Sequence, residues 1–154
     1  MKPFAVQASD GVRLSTPIKG SAVVLADTLQ TNGSLTVLEL EIAAYDGPAA
    51  HTHLREDEVW YVLDGDFRFK AGDEMLRATT GGMAFGPRGV PHAFQNIGDT
   101  VGRLLIITTP SGLERFFEQA GKLSHPVDPE ELAAIGRANW LEFGGPPLAV
   151  SDPL

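Results

Sequence analysis

At 154 residues the chain is long enough to bury a core of its own, and 43% hydrophobic against 21% charged residues is the balance of a soluble globular protein. The net charge of −8 argues against a nucleic-acid partner, which demands a basic face, and against an anionic membrane surface. With no cysteine, neither a disulfide framework nor a thiolate metal site is possible.

Taken from the N-terminus, "MKPFAVQASDG" has no signal-like apolar core, and no stretch approaches transmembrane length, so a cytoplasmic protein is expected. The segment "VRLSTPIKGSAVVL" can form an edge strand. From Val23 to Thr109 short apolar or alternating runs are separated by turn residues. In "SLTVLELEIA" Leu38, Leu40 and Ile42 share one strand face and Glu39 and Glu41 the other. The runs "EVWYVLDG", "DFRFK", "EMLRATT", "GMAFGP", "HAFQN" and "RLLIITT" follow, with corners at Asp46-Gly47-Pro48, Ala71-Gly72-Asp73 and Gly81-Gly82. Asp64-Gly65 has the residue pair of a tight type I′ hairpin turn. Short strands at this spacing predict an all-β sandwich or barrel over about 20–110.

The remainder, about 111–154, reads as a helical extension of the same single domain. Ser111 and Glu114 have the spacing of a capping box, Leu113, Phe116, Phe117 and Ala120 share a helical face, and Gly121 suits a helix stop. A second short helix is predicted from Asp128, with Pro129 in its first turn and Leu132 and Ile135 turned inward. Its one base, Arg137, is too little for a DNA-reading helix. "WLEFGGPPLAV" then reads as an ordered apolar tail lying on the barrel.

Chemistry concentrates in "HTHLREDE". Residues two apart in a strand point to one side, so His51 and His53 aim both imidazoles at one point. Neutral imidazole is the commonest protein metal ligand, and a carboxylate completes a site for a divalent ion. Glu58 opens the next strand and shares a face with Trp60 and Val62, whereas Glu56 and Asp57 fall at the turn, where acids are normally solvated. A third histidine, His92, follows the rigid "GPRGVP" segment, and Phe94 shares its face. Trp60 and Phe94 are the candidate substrate-pocket residues; Phe116 and Phe117 read as core, and His125 as a loop residue.

These two segments resemble the paired motifs of the cupin superfamily. His51, His53, Glu58 and Gly65 match the first, and Gly81, Pro87, Gly89, His92 and Asn96 the second. Gly47 stands nearer to His51 than the opening glycine of the first motif usually does, and the spacer Asp66 to Thr80 is short, as in small single-domain bacterial cupins. The resemblance implies a double-stranded β-helix, or jelly roll, with one divalent ion (Fe, Mn, Ni, Co, Cu or Zn) held by His51, His53, Glu58 and His92. It also implies a homodimer paired through the sheets, to which "VRLSTPIKGSAVVL" can supply an edge strand.

The single cupin with its "TPSGLERFFEQAG" and "GGPPL" tail is similar to bacterial proteins termed quercetin 2,3-dioxygenase-like. That likeness implies a dioxygenase of a flavonol-like or other enolisable small molecule, with Glu58 doubling as the base that takes the hydroxyl proton. A non-redox isomerase, cyclase or lyase, and a non-catalytic metal and small-molecule binding cupin, are the alternatives.

Overall fold

A computed structural model describes residues 2–154 of the chain. Alternating apolar residues give eleven strands in two antiparallel sheets that face each other across one core. The first sheet runs in the order β1 (Val12–Ser15), β2 (Gly20–Ala26), β3 (Thr36–Ile42), β10 (Gly102–Thr109), β5 (Asp57–Asp64), β8 (Met83–Gly86). The second runs β11 (Leu141–Pro147), β4 (Ala49–His53), β9 (His92–Asn96), β6 (Asp66–Ala71), β7 (Glu74–Thr79). This is the expected jelly roll, with its helices gathered at the C-terminal end.

Period-2 patterning decides which side chains enter the barrel. In β3 Leu38, Leu40 and Ile42 are buried while Glu39 and Glu41 stay half-buried on the outside. Trp60 and Val62 from β5, Phe67 and Phe69 from β6, Phe94 from β9 and Leu104 and Ile106 from β10 complete the interior. Strand β9 is buried on both faces. On its outer side Gln95 donates to the Tyr45 carbonyl and accepts from Arg68, whose guanidinium also reaches the carbonyls of Leu148 and Asp152.

Several local expectations are corrected. Asp64-Gly65 is not a hairpin turn, because β5 pairs with β8 and β10 while β6 pairs with β7 and β9. Gly65, at φ +108, instead swings the chain from one sheet to the other. The tight hairpin is at Gly72-Asp73, where Ala71 pairs with Glu74 and Gly72 has φ +58.

Helix α1 (Leu113–Ala120) forms, but without the capping box: Gly112 is its N-cap and makes no side-chain cap. Ser111 receives the Thr28 hydroxyl, and Glu114 is buried, accepting from the Thr28 amide and from the hydroxyls of Thr28 and Thr36. Tertiary donors from the β2–β3 connection and the first residue of β3 outcompete the local cap. Gly121 ends the helix in a right-handed conformation; its hydrogen side chain matters because a Cβ would lie 2.7 Å from the Ser15 carbonyl oxygen.

Helix α2 (Pro129–Ala138) starts as expected, with the Asp128 side chain accepting from the amides of Glu130 and Glu131. The tail is more ordered than the sequence indicates. Residues Leu141–Pro147 form β11 beside β4, and a third, one-turn helix α3 (Leu148–Ser151) follows, where two helices were expected. Among the described residues, no helix is long and apolar enough to cross a membrane.

Candidate metal centre

Strand β4 places His51 and His53 on its buried face, as alternation requires. Strand β9 lies alongside, with His92 directly opposite His51 across the two strands. Glu58 comes from the facing sheet, at the start of β5, and is buried there. One potential ligand atom from each of these four residues lies within 4.8 Å of the other three. Both sheets therefore contribute to the cluster.

The rings are fixed from behind. The Nδ1 of His51 lies 2.8 Å from the Ala49 carbonyl oxygen and that of His92 3.0 Å from the Val90 carbonyl oxygen. With Nδ1 donating to these acceptors, Nε2 is left with its lone pair toward the cluster. Glu58 Oε2 is 3.1 Å from His92 Nε2 and 3.3 Å from His53 Nε2. Glu58 Oε2 and His92 Nε2 are nonetheless buried without an aligned hydrogen-bond partner. Orphaned polar atoms of this kind cost stability, and a divalent cation would satisfy them. Three imidazoles and one carboxylate can hold such an ion, and the donor set suits several transition metals without selecting one.

Electrostatics divide the four clustered residues. Burial, reinforced by His92 and His53, lowers His51 to about 3, so it is neutral at physiological pH. Burial also opposes a charge on His53, but Glu58 and Glu56 beside it outweigh that and raise it to about 9. Burial alone would raise Glu58; the neighbouring His53 and His92 instead hold it below the ordinary carboxylate range.

Above the cluster opens a cavity of about 400 Å³. His51, His53 and Glu58 form its polar floor, and Phe94, Leu40 and Ile106 line it from the barrel. The far wall comes from the C-terminal extension, through Leu113, Phe116, Phe117, Leu132, Leu141 and Phe143. Phe94, one of the two candidate pocket residues, lines this cavity. Trp60 is not among the lining residues: it is fully buried behind His92, edge-on with ring centroids 5.1 Å apart, and Gly86 is packed against its indole.

Two acids assigned to a solvated turn have specific positions instead. Asp57 accepts two guanidinium hydrogen bonds and a backbone one from Arg88, joining the first histidine segment to the second. Those bonds bring Asp57 down to about 2. Glu56 is 2% exposed, with Oε2 3.6 Å from His53 Nδ1. Neither position was legible from acids at a turn, since the partners are distant or depend on how the turn folds back. His125 is an exposed loop residue, as expected.

The Cupin domain family model, Cupin_2, matches residues 37–108, which span all four clustered residues. No curated protein matches the chain. Among solved structures, KdgF from a Halomonas species is similar at 16% identity and TM-score 0.62, over 71% of this chain and 94% of the other. A predicted oxalate decarboxylase from Thermotoga maritima aligns at 18% identity and TM-score 0.62, over 70% and 99%. The polyketide cyclase RemF from Streptomyces resistomycificus aligns at 23% identity and TM-score 0.60, over 71% and 81%. Residues 37–108 are thus similar to the Cupin domain family, and the fold around them is similar to that of solved cupin structures.

Proposed function

We propose that the protein is a metal-dependent dioxygenase acting on an apolar, enolisable small molecule of the flavonol type. The observation that carries this reading is the contrast inside the cavity: a floor of histidines and one carboxyl under mostly aliphatic and aromatic walls. No arginine lines it, and its one basic residue, Lys19, is solvent-exposed. Beyond the metal centre itself, a small dicarboxylate or a phosphorylated sugar would find no buried arginine or lysine to clamp it. A flat, largely apolar ring system with one chelating oxygen pair matches the walls and the floor together.

His51, His53, Glu58 and His92 would hold the ion. When bound, it supplies Lewis acidity toward an enol oxygen and, if redox-active, the electron chemistry that dioxygen requires. The residues of the chain do the rest. Phe94, Phe116, Phe117 and Phe143 exclude water and sandwich the ring system. Glu58 takes the hydroxyl proton; it is available because Asp46, the other acid on the wall, is tied to the amides of Lys19 and Gly47. His53 and His92 make Glu58 a weak base, so it serves a hydroxyl that has already been acidified.

The test is oxygen uptake by protein loaded in turn with Fe(II), Mn(II), Ni(II), Co(II), Cu(II) or Zn(II), with a flavonol and a simple diketone as substrates. Stoichiometric oxygen consumption with ring cleavage is expected for at least one redox-active ion. Turnover that persists under strict anaerobiosis would overturn the reading in favour of a non-redox isomerase, cyclase or lyase. Ligand binding without turnover under every ion would leave a binding protein. The same reading includes a homodimer, paired through the outer face of the first sheet, where Tyr61, Met83 and Phe85 are exposed on the adjacent strands β5 and β8.

A further inference from the structure

We propose that Glu56 is a positioning residue of the metal centre. In this role its carboxyl group accepts the Nδ1 proton of His53, fixes Nε2 toward the ion and makes His53 the strongest donor of the three imidazoles. The inference rests on the metal-centre reading above and adds a specific asymmetry to it.

The three histidines are backed differently. His51 and His92 each have Nδ1 beside the backbone carbonyl two residues earlier, at 2.8 and 3.0 Å, and both acceptors are neutral amides. His53 has a side-chain carboxyl there instead: Glu56 Oε2, 3.6 Å away, which is buried and has no hydrogen-bond partner. A buried, unpartnered carboxyl oxygen facing a ring nitrogen is costly unless the pair closes. Closure to about 2.8 Å would satisfy both atoms and raise the basicity of the ligating nitrogen, as carboxyl-backed metal histidines do.

Glu56 is itself held in place. Arg55 Nε lies 3.3 Å from Glu56 Oε1, and the Arg55 guanidinium also donates to the Ser111 carbonyl. Ser111 and Gly112 lead into helix α1, whose aromatic residues form the cavity wall. A Cβ on Gly112 would lie 2.8 Å from Arg55 Nη2 and 3.3 Å from Glu56 Oε1, so glycine is needed for the helix start to close over this pair. The packing that seats the wall therefore also seats the group behind His53.

The experiment compares wild type, Glu56→Gln and Glu56→Ala for Zn(II) and Co(II) affinity by chelator competition. It adds the visible absorption of the Co(II) form and the ¹⁵N resonances of His53 in the Zn(II) form. Glu56→Gln leaves a neutral acceptor of the same size, so its affinity is expected to fall about 10-fold, and that of Glu56→Ala toward about 100-fold. The Co(II) band and the His53 Nδ1 resonance should shift in both, beyond what any change in the metal-free unfolding temperature accounts for. Affinity within twofold of wild type with unchanged spectra would overturn the role of Glu56. So would a loss of affinity that merely follows a loss of metal-free stability. Failure of the wild type itself to bind either ion would overturn the metal centre rather than this addition.

Discussion

Clustered histidines with opposite shifts give the metal-free protein a defined pH response. His53, raised to about 9 from its ordinary 6.5, contributes stability that is complete below about 6.5 and is lost as the pH rises through 9. His51, lowered to about 3, stays neutral in the fold while the unfolded chain takes up a proton, so its contribution is lost as the pH falls from 6.5 toward 3. Metal-free stability should accordingly be highest between these limbs, which urea titrations across that range will check. An ion must displace the His53 proton, so binding near pH 7 should release about one proton per ion and tighten as the pH rises toward 9. Calorimetry in buffers of different ionisation enthalpy reads that number directly, and zero protons would contradict it. Replacing His51 or His92 by Ala should cost more than about 100-fold in metal affinity, above what outer partners contribute. His125→Ala, on an exposed loop, should cost nothing.

Individual strands were readable where one face is buried and the other is not. Leu38, Leu40 and Ile42 alternate with Glu39 and Glu41, and β3 has that alternation in the structure. Turn chemistry was less decisive: Asp64-Gly65 has hairpin residues, yet connects two sheets because β5 and β6 each find better partners elsewhere. The capping box at Ser111 and Glu114 failed for a similar reason, since Thr28 and Thr36 arrive from a distant connection and take both side chains. Strand β8 shows how tightly one element can control the site. A Cβ on Gly86 would lie 2.4 Å from the Trp60 ring and 3.3 Å from His92 Nδ1. Gly86→Ala should therefore destabilise the fold by about 1–3 kcal/mol, the usual cost of overpacking. It should also lower metal affinity by displacing His92. Urea unfolding and chelator competition measure the two effects separately.

Across the whole molecule, the proposed pairing places Met83 and Phe85, each about half-exposed, at the centre of the contact between copies. A charge there would be desolvated, so Met83→Glu should shift the mass measured by light scattering from dimer to monomer while metal content stays unchanged. A wild type that is already monomeric would remove the pairing from the reading. The sequence by itself determined the alternating strands and the β-class, because period-2 patterning is a local property of the chain, and its resemblance to the cupin motifs pointed to the four residues that cluster. Only the tertiary structure decided what surrounds that cluster. It moved Trp60 behind His92, buried Glu56 behind His53, paired Asp57 with Arg88 and turned Phe116 and Phe143 into cavity wall. Each of those placements depends on elements far apart in the chain meeting across two sheets, and no local spacing encodes such a meeting.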